Sequence, residues 1–174
     1  MHKIILLMGP PAAGKSTVAR RLAQHFPKSL HLQVDHLREM MVNGVQLPGA
    51  GWNDETTQQF QWARAAAIHI AQVYAGNGVD VVIDDVSVPE QFAQHYAALG
   101  DNRATHRLLL LPSAHSLIER LQSRGNPFDQ HLMEETPWFY SLLEQVDKSG
   151  WRVLDSSNWT VERTVQEVLR AIDA

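Results

Sequence analysis

Residues 9–17 read GPPAAGKST, a glycine-bracketed loop holding one lysine and a hydroxyl pair. The residues before it, HKIILLM at 2–8, are apolar and β-prone. Those after it, VARRLAQHF, carry helical spacing. Strand, tight loop and helix in that order turn a short string into a phosphate-binding expectation, because G-x-x-x-x-G-K-[ST] is satisfied in full. Gly9 and Gly14 permit backbone angles and close approaches that side chains would obstruct. The loop they bracket, with Pro10, Pro11, Ala12 and Ala13, can then close around phosphate oxygens. The following helix adds the positive end of its dipole. In this reading Lys15 reaches the β- and γ-phosphates, Ser16 offers its hydroxyl to Mg²⁺, and Thr17 hydrogen-bonds an α-phosphate. No guanine-reading N/TKxD signal follows, so the expected nucleotide is ATP.

The rest of the chain alternates strands with helices. Residues 2–8, 30–34, 79–83, 105–111 and 151–155 read as strands. Residues 14–26, 58–75, 89–99, 113–124, 128–147 and 161–172 read as helices, with a short helical stretch after Asp35. Thr56 or Thr57 is the expected cap of the long second helix, Thr160 that of the last, and Pro137 is expected to interrupt the helix around it. Residues 43–54, NGVQLPGAGWND, read as an irregular loop. This order predicts a three-layer α/β/α fold: a parallel five-stranded sheet covered by helices on both faces, with a small helical lid.

The chain has 174 residues, 44% hydrophobic and 20% charged, which suits one domain over 1–174 with a lid region at 120–137 inside it. A formal net charge of −4 argues against a protein held to nucleic acid mainly through phosphate charge. The chain has no cysteine, so disulfides and thiolate chemistry are excluded. Nine histidines form no H-E-x-x-H pattern and define no metal site. No stretch approaches the ~20 apolar residues of a membrane span, and Ile4–Leu7 reads as a buried strand rather than a leader. The expected setting is cytoplasmic.

Three acids fall at expected strand ends. Asp35 closes the second strand, and Asp84 and Asp85 close the third. In an open parallel sheet ligands gather beyond the carboxyl ends of strands, which sends all three toward the phosphate loop. Asp84 is the candidate Mg²⁺-associated acid, and Asp85 shares that role or contacts substrate. Asp35 is the candidate general base, and Arg38, three residues on, the candidate holder of an anion or acceptor oxygen. Arg120 and Arg124 lie four apart on one helix face just before the sequence GNP. Both are candidate lid arginines, placed to neutralise charge on a transferred phosphoryl group. Asn158, in SSNWT, is a candidate for reading the adenine base. Trp52, Gln59, Trp62 and Arg64 are candidate linings of an acceptor pocket.

ILLMGPPAAGKST, VDHLR and GNGVDVVIDDV, and more loosely LIERLQSRG, resemble the small P-loop kinases that include chloramphenicol phosphotransferase-like proteins. The kinase domain of phage-type polynucleotide kinase is a related resemblance. It implies ATP- and Mg²⁺-dependent phosphoryl transfer to a hydroxyl. Lys15 and Ser16 fall at the phosphate loop, Asp35 at the catalytic base, Arg38 at a substrate-side arginine, Asp84 or Asp85 at the third-strand acid, and Arg120 or Arg124 in the lid. Where that family often has an arginine after the lid glycine, this chain has Asn126 and Pro127.

The first expectation is a small-molecule kinase acting on an antibiotic, nucleoside or sugar-like alcohol. A polynucleotide 5′-hydroxyl kinase or a nucleotide kinase is the alternative enzyme. A nucleotide-binding regulatory module is the alternative from another class.

Overall fold

The computed structural model describes residues 2–46, 51–87, 89, 92–100, 104–126 and 129–173. Five strands form one parallel sheet: β1 (Ile4–Met8), β2 (Ser29–Gln33), β3 (Asp80–Asp85), β4 (Thr105–Leu110) and β5 (Arg152–Leu154). Their spatial order is β2-β3-β1-β4-β5, all neighbours being parallel. The helices are α1 (Lys15–Ala23), α2 (Val34–Glu39), α3 (Asp54–Gly76), α4 (Phe92–His95), α5 (Ala114–Arg124), α6 (Asp129–Gln145) and α7 (Val161–Asp173), with a 3₁₀ turn at Ala97–Leu99. This is the expected three-layer α/β/α arrangement.

β1 lies at the centre of the sheet, and every one of its residues is buried. Period-two alternation divides them between two cores. Ile4, Leu6 and Met8 join Val81, Ile83 and Leu109 against Ala63, Ala67 and Ala71 of α3 and Leu143 of α6. Ile5 and Leu7 join Val82, Leu108 and Leu110 against Val18, Ala19 and Leu22 of α1 and Val165, Val168 and Ile172 of α7. A strand covered on both faces must be apolar throughout, as IILLM is. The chain goes from β1 outward to β2, returns through β3, and crosses to β4. The crevice above β1 is thus the point where the winding reverses, the position that binds ligands in such sheets.

Four local expectations are corrected. Helix α3 starts at Asp54 rather than 58, because Asn53 is its cap: the Asn53 side chain accepts from Thr56 N at 2.9 Å, and Thr56 Oγ1 reaches back to Asn53 N at 3.4 Å. Thr56 is the third residue of that capping box, not the cap. Helix α6 runs through Pro137 without interruption. There the Thr136 hydroxyl donates to the Leu132 carbonyl at 2.7 Å, a side-chain bond in the turn where proline supplies no N–H. The single helix expected over 89–99 lies partly outside the described residues. Its described part is the short α4 and the 3₁₀ turn, separated at Tyr96, whose ring is fully buried. The third strand spans Asp80–Asp85 rather than 79–83, and both acids close it as expected. The Thr160 cap forms as expected, accepting from Arg163 N at 3.2 Å.

Of the lid region, residues 127 and 128 lie outside the described residues, as do residues 47–50 of the loop expected at 43–54. The described lid residues are the end of α5, a left-handed Gly125 (φ 61°), Asn126, and the start of α6.

Candidate active site

The loop leaves β1 at Gly9, whose φ is +153°. A β-carbon there would stand 2.3 Å from the Leu110 carbonyl oxygen, so the close approach of the loop to β4 requires glycine. Ala13 N donates to Pro10 O at 3.2 Å, closing a tight turn, and Ala12 (φ 62°) and Gly14 (φ 91°) adopt left-handed angles. Gly14 caps α1 with no side-chain hydrogen bond. Lys15 is buried, and its ammonium donates to Pro10 O at 2.9 Å. Burial lowers its proton affinity below the ordinary lysine value, while the charges of Asp84, Asp35 and Asp85 oppose that shift. Ser16 and Thr17 are exposed on the first turn of α1.

The two strand acids point to opposite faces of the sheet, as adjacent strand residues must. Asp84 turns toward α1, where Oδ1 accepts from Ser16 Oγ at 3.0 Å and Oδ2 is hydrogen-bonded to His31 Nε2. Asp85 turns toward α3. Its Oδ2 accepts from Arg64 Nε at 2.7 Å and from the Tyr96 hydroxyl at 2.9 Å, and its Oδ1 from Arg64 Nη2 at 3.4 Å. Burial, then the neighbouring Asp85 charge, raises Tyr96 well above its ordinary value and keeps it a donor. Arg64 Nη2 also meets Val86 O at 3.2 Å. Asp84 therefore faces the phosphate loop, while Asp85 is held by Arg64 and Tyr96.

Asp35 sits half-buried in the first turn of α2. Burial raises its carboxyl above the ordinary value, Asp85 raises it further, and Lys15 and Arg38 pull it back. Arg38 is buried, with its guanidinium over the Phe60 ring at 4.5 Å. One of its nitrogens donates to Gln46 O, and its Nε is buried without a partner among the described residues. Gln59 holds the same stretch of chain, accepting from Gln46 N and donating to Gly44 O, both at 2.8 Å. Trp52 stacks on Phe60 with centroids 5.2 Å apart and donates to Thr57 Oγ1 at 2.8 Å, yet is 53% exposed. Trp62 is 54% exposed on α3.

The two lid-region arginines part company. Arg120 donates to Ala13 O at 3.2 Å and to Ser156 O at 2.7 Å, tying the phosphate loop to the turn after β5. Arg124 is about half-exposed and lies 3.3 Å from the buried Asp129 carboxylate. Its charge acts on Lys15. Asn158 is exposed in the turn after β5. Its neighbour Ser157 is tied to Asp155 and accepts from Ser113 N at 2.8 Å.

Sequence reading missed His31, Tyr96 and a groove of about 490 Å³ lined by Ser16, Thr17, Arg20, Arg21, Gln24, His31 and Gln33. His31 and Gln33 alternate along β2, which marks one shared face. Only the β2–β3 register, pairing Gln33 with Asp84, brings that face to the acid.

Fold and loop together define a small P-loop α/β protein. The chain belongs to the AAA domain family, whose model matches residues 4–138. Among curated proteins none matches it. Similar solved structures include a sugar kinase from Janibacter sp. HTCC2649, at TM-score 0.70 and 18% identity, covering 99% of this chain and 95% of that one. The tunicamycin resistance protein of Deinococcus radiodurans matches at TM-score 0.68 and 15% identity, covering 98% and 96%. Shikimate kinase from Bacteroides thetaiotaomicron matches at TM-score 0.65 and 16% identity, covering 99% of both chains. At these identities the likeness is one of fold.

Proposed function

We propose that the protein is an ATP- and Mg²⁺-dependent phosphotransferase that moves the γ-phosphoryl group to a hydroxyl of a small molecule, in the manner of the chloramphenicol phosphotransferase-like kinases. The observation that carries the reading is a contact at the mouth of the loop: Ser16, which follows the buried Lys15 at the start of α1, donates its hydroxyl to Asp84 Oδ1 at the end of β3 at 3.0 Å.

The residues present suit both cofactors. Ser16 and Asp84 offer hard oxygen donors 3.0 Å apart beside the loop. Among the described residues no group of three His, Cys, Asp or Glu side chains could hold a metal alone. That fits Mg²⁺, which commonly takes one or two protein ligands and completes its shell with phosphate oxygens and water. Mg²⁺ and the triphosphate would supply the transferable group and most of the charge compensation.

This chain's residues do the positioning. Lys15, with Pro10 O as its one hydrogen-bond partner among the described residues, has donors left for phosphate oxygens. The backbone of Gly9, Pro10, Pro11, Ala12, Ala13 and Gly14 shapes the phosphate cradle, and Ser16 and Thr17 open the helix at its mouth. Asp35 accepts or steers the proton of the attacking hydroxyl. Arg124 supplies charge to the transferred group, while Arg120, whose donors are engaged by two carbonyls, keeps the loop and the Ser156 turn in register. Asn158 lies on that turn beside the expected base site. On the acceptor side Arg38 and Trp52 both pack on Phe60, and Arg38 and Gln59 both hold Gln46; Trp62 would line the acceptor from the exposed side of α3. Asp85, itself paired with Arg64, adds its negative charge to the surroundings of Asp35. ATP availability places this activity in the cytoplasm. No described helix is long and apolar enough to cross a membrane.

One observation favours a second reading. The groove beginning at Ser16 carries Arg20 and Arg21 and, among the described residues that line it, no carboxylate, which suits an anionic acceptor such as a 5′-hydroxyl oligonucleotide.

A labelled-ATP screen tests both readings, using antibiotics, nucleosides, nucleotides, sugars and 5′-hydroxyl oligonucleotides as acceptors, with mass spectrometry of the product. Phosphate on a small alcohol supports the first reading, and salt-sensitive labelling of an oligonucleotide end the second. Tight ATP binding with no labelled product across the panel would make the protein a regulatory binding module instead.

A further inference from the structure

The carboxylate of Asp84 is held from two sides. Oδ1 takes the Ser16 hydroxyl, from the first turn of α1, and Oδ2 takes Nε2 of His31, from the edge strand β2. The side chains are 7% and 15% exposed. In the β2–β3 register His31 pairs with Val82 and Gln33 with Asp84. His31 therefore stands one step down the same sheet face that Asp84 uses, within reach of its far oxygen.

A carboxylate turns easily about its last torsion, which is broad and nearly two-fold. A donor fixed on Oδ2 removes that freedom and leaves Oδ1 directed at Ser16. An ionised carboxylate only accepts, so in this contact the imidazole is the donor through Nε2. Hydrogen-bond partners behind a metal-associated carboxylate orient it, and losing one typically costs affinity for the ion rather than for the rest of the ligand.

We propose that His31 is a positioning residue: it fixes the Asp84 carboxylate toward Ser16 and thereby sets how tightly Mg²⁺ is taken up with nucleotide, without itself contacting either. The proposal rests on the reading of Asp84 as the Mg²⁺-associated acid. His31 is suited to substitution because it lines the open groove beside α1 rather than either apolar core.

The test is a nucleotide-binding titration, in EDTA and across a range of Mg²⁺, on the intact protein and three variants. His31→Phe keeps the ring shape and deletes the donor. His31→Gln restores an N–H near the Nε2 position. Asp84→Asn reports on the acid itself. Expected are ATP affinities in EDTA within about twofold of one another, and a Mg²⁺ half-saturation raised about 10- to 100-fold in His31→Phe. His31→Gln should recover most of that loss. If His31→Phe does not fold, His31→Ala deletes the same donor and takes its place. An unchanged Mg²⁺ requirement in the donor-less variant, with Asp84→Asn impaired, overturns the role of His31 and leaves Asp84 standing. An unchanged requirement in Asp84→Asn overturns both. Equal loss of ATP affinity in EDTA, unrescued by glutamine, marks a merely structural histidine and also overturns the proposal.

Discussion

Arg64 Nε lies 2.7 Å from Asp85 Oδ2 in an ion pair whose side chains are 9% and 1% exposed. Removing one member leaves a desolvated charge with no counterpart, and broken buried pairs cost about 3–5 kcal/mol. Arg64→Met is therefore expected to destabilise the fold by that order, although Tyr96 still donates to the carboxylate. The double variant Arg64→Met/Asp85→Leu is expected to lose less than the two single variants summed, because neither charge is then stranded. Urea unfolding of the four proteins measures the coupling, and strict additivity would show that the pair is not a unit.

Asp35 links that pair to the proposed chemistry. Burial raises its carboxyl and the Asp85 charge raises it further. A base must be ionised, so transfer is expected to fall on acidification through a pKa above the ordinary value near 3.9. Asp85→Asn removes one of the raising charges, so the acid limb should move to lower pH. Asp35→Asn should lower turnover by about 10²- to 10⁴-fold and leave ATP affinity within about twofold. The sign for stability runs the other way. A carboxyl raised by folding contributes stability that is fully present below its unfolded pKa and is lost as pH rises through the folded one. Asp35→Asn should therefore melt higher than the parent at pH 7, with the gap closing below the ordinary carboxylate range. A lower melting temperature at pH 7 would mean that the ionised Asp35 stabilises the fold.

The fold was legible in the sequence because each of its main signals is local. IILLM can only be a strand buried on both faces, and GPPAAGKST between it and a helical stretch fixes the handover from β1 to α1. The acids of IDDV were legible as strand-end residues, but the partners that separate them were not. Their division depends on strand alternation carried as far as Asp85, and on Arg64, 21 positions upstream, waiting on one face. The start of α3 was misjudged because Asn53, Thr56 and Thr57 all suit a cap, and only the reciprocal bonds of the capping box choose among them. His31 was invisible for another reason: a histidine in a strand says nothing until the neighbouring strand's register is known.

Gly9 and Gly14 bracket the same loop but are held to glycine for different reasons, and alanine separates them. A β-carbon at Gly9 meets the backbone of Leu110 at 2.3 Å, where no side chain can yield, whereas at Gly14 nothing lies within 4 Å. Gly14→Ala meets only the backbone penalty of a left-handed angle, about 1–2 kcal/mol. Gly9→Ala should cost that or more and also push the loop away from β4. Both stability and nucleotide affinity should therefore suffer more at Gly9 than at Gly14. Equal effects in thermal unfolding and ATP titration would mean that the approach to Leu110 is not limiting.

Lys15 gives the sharpest separation of stability from function. Its ammonium is buried with a single hydrogen bond among the described residues, to Pro10 O. Folding lowers its proton affinity because burial outweighs the attraction of Asp84, Asp35 and Asp85. A cation whose pKa falls on folding opposes the fold at neutral pH and ceases to do so as pH rises past the unfolded value. Lys15→Met keeps the aliphatic packing and deletes the charge, so it should melt at or above the parent temperature at pH 7. In the proposed phosphotransferase the same substitution removes a donor for developing phosphoryl charge, a loss that typically costs about 10²- to 10³-fold in turnover. Melting and phosphoryl-transfer assays on one preparation test both halves. A variant that loses stability along with activity would show that the lysine holds the loop together instead of sitting in it under strain.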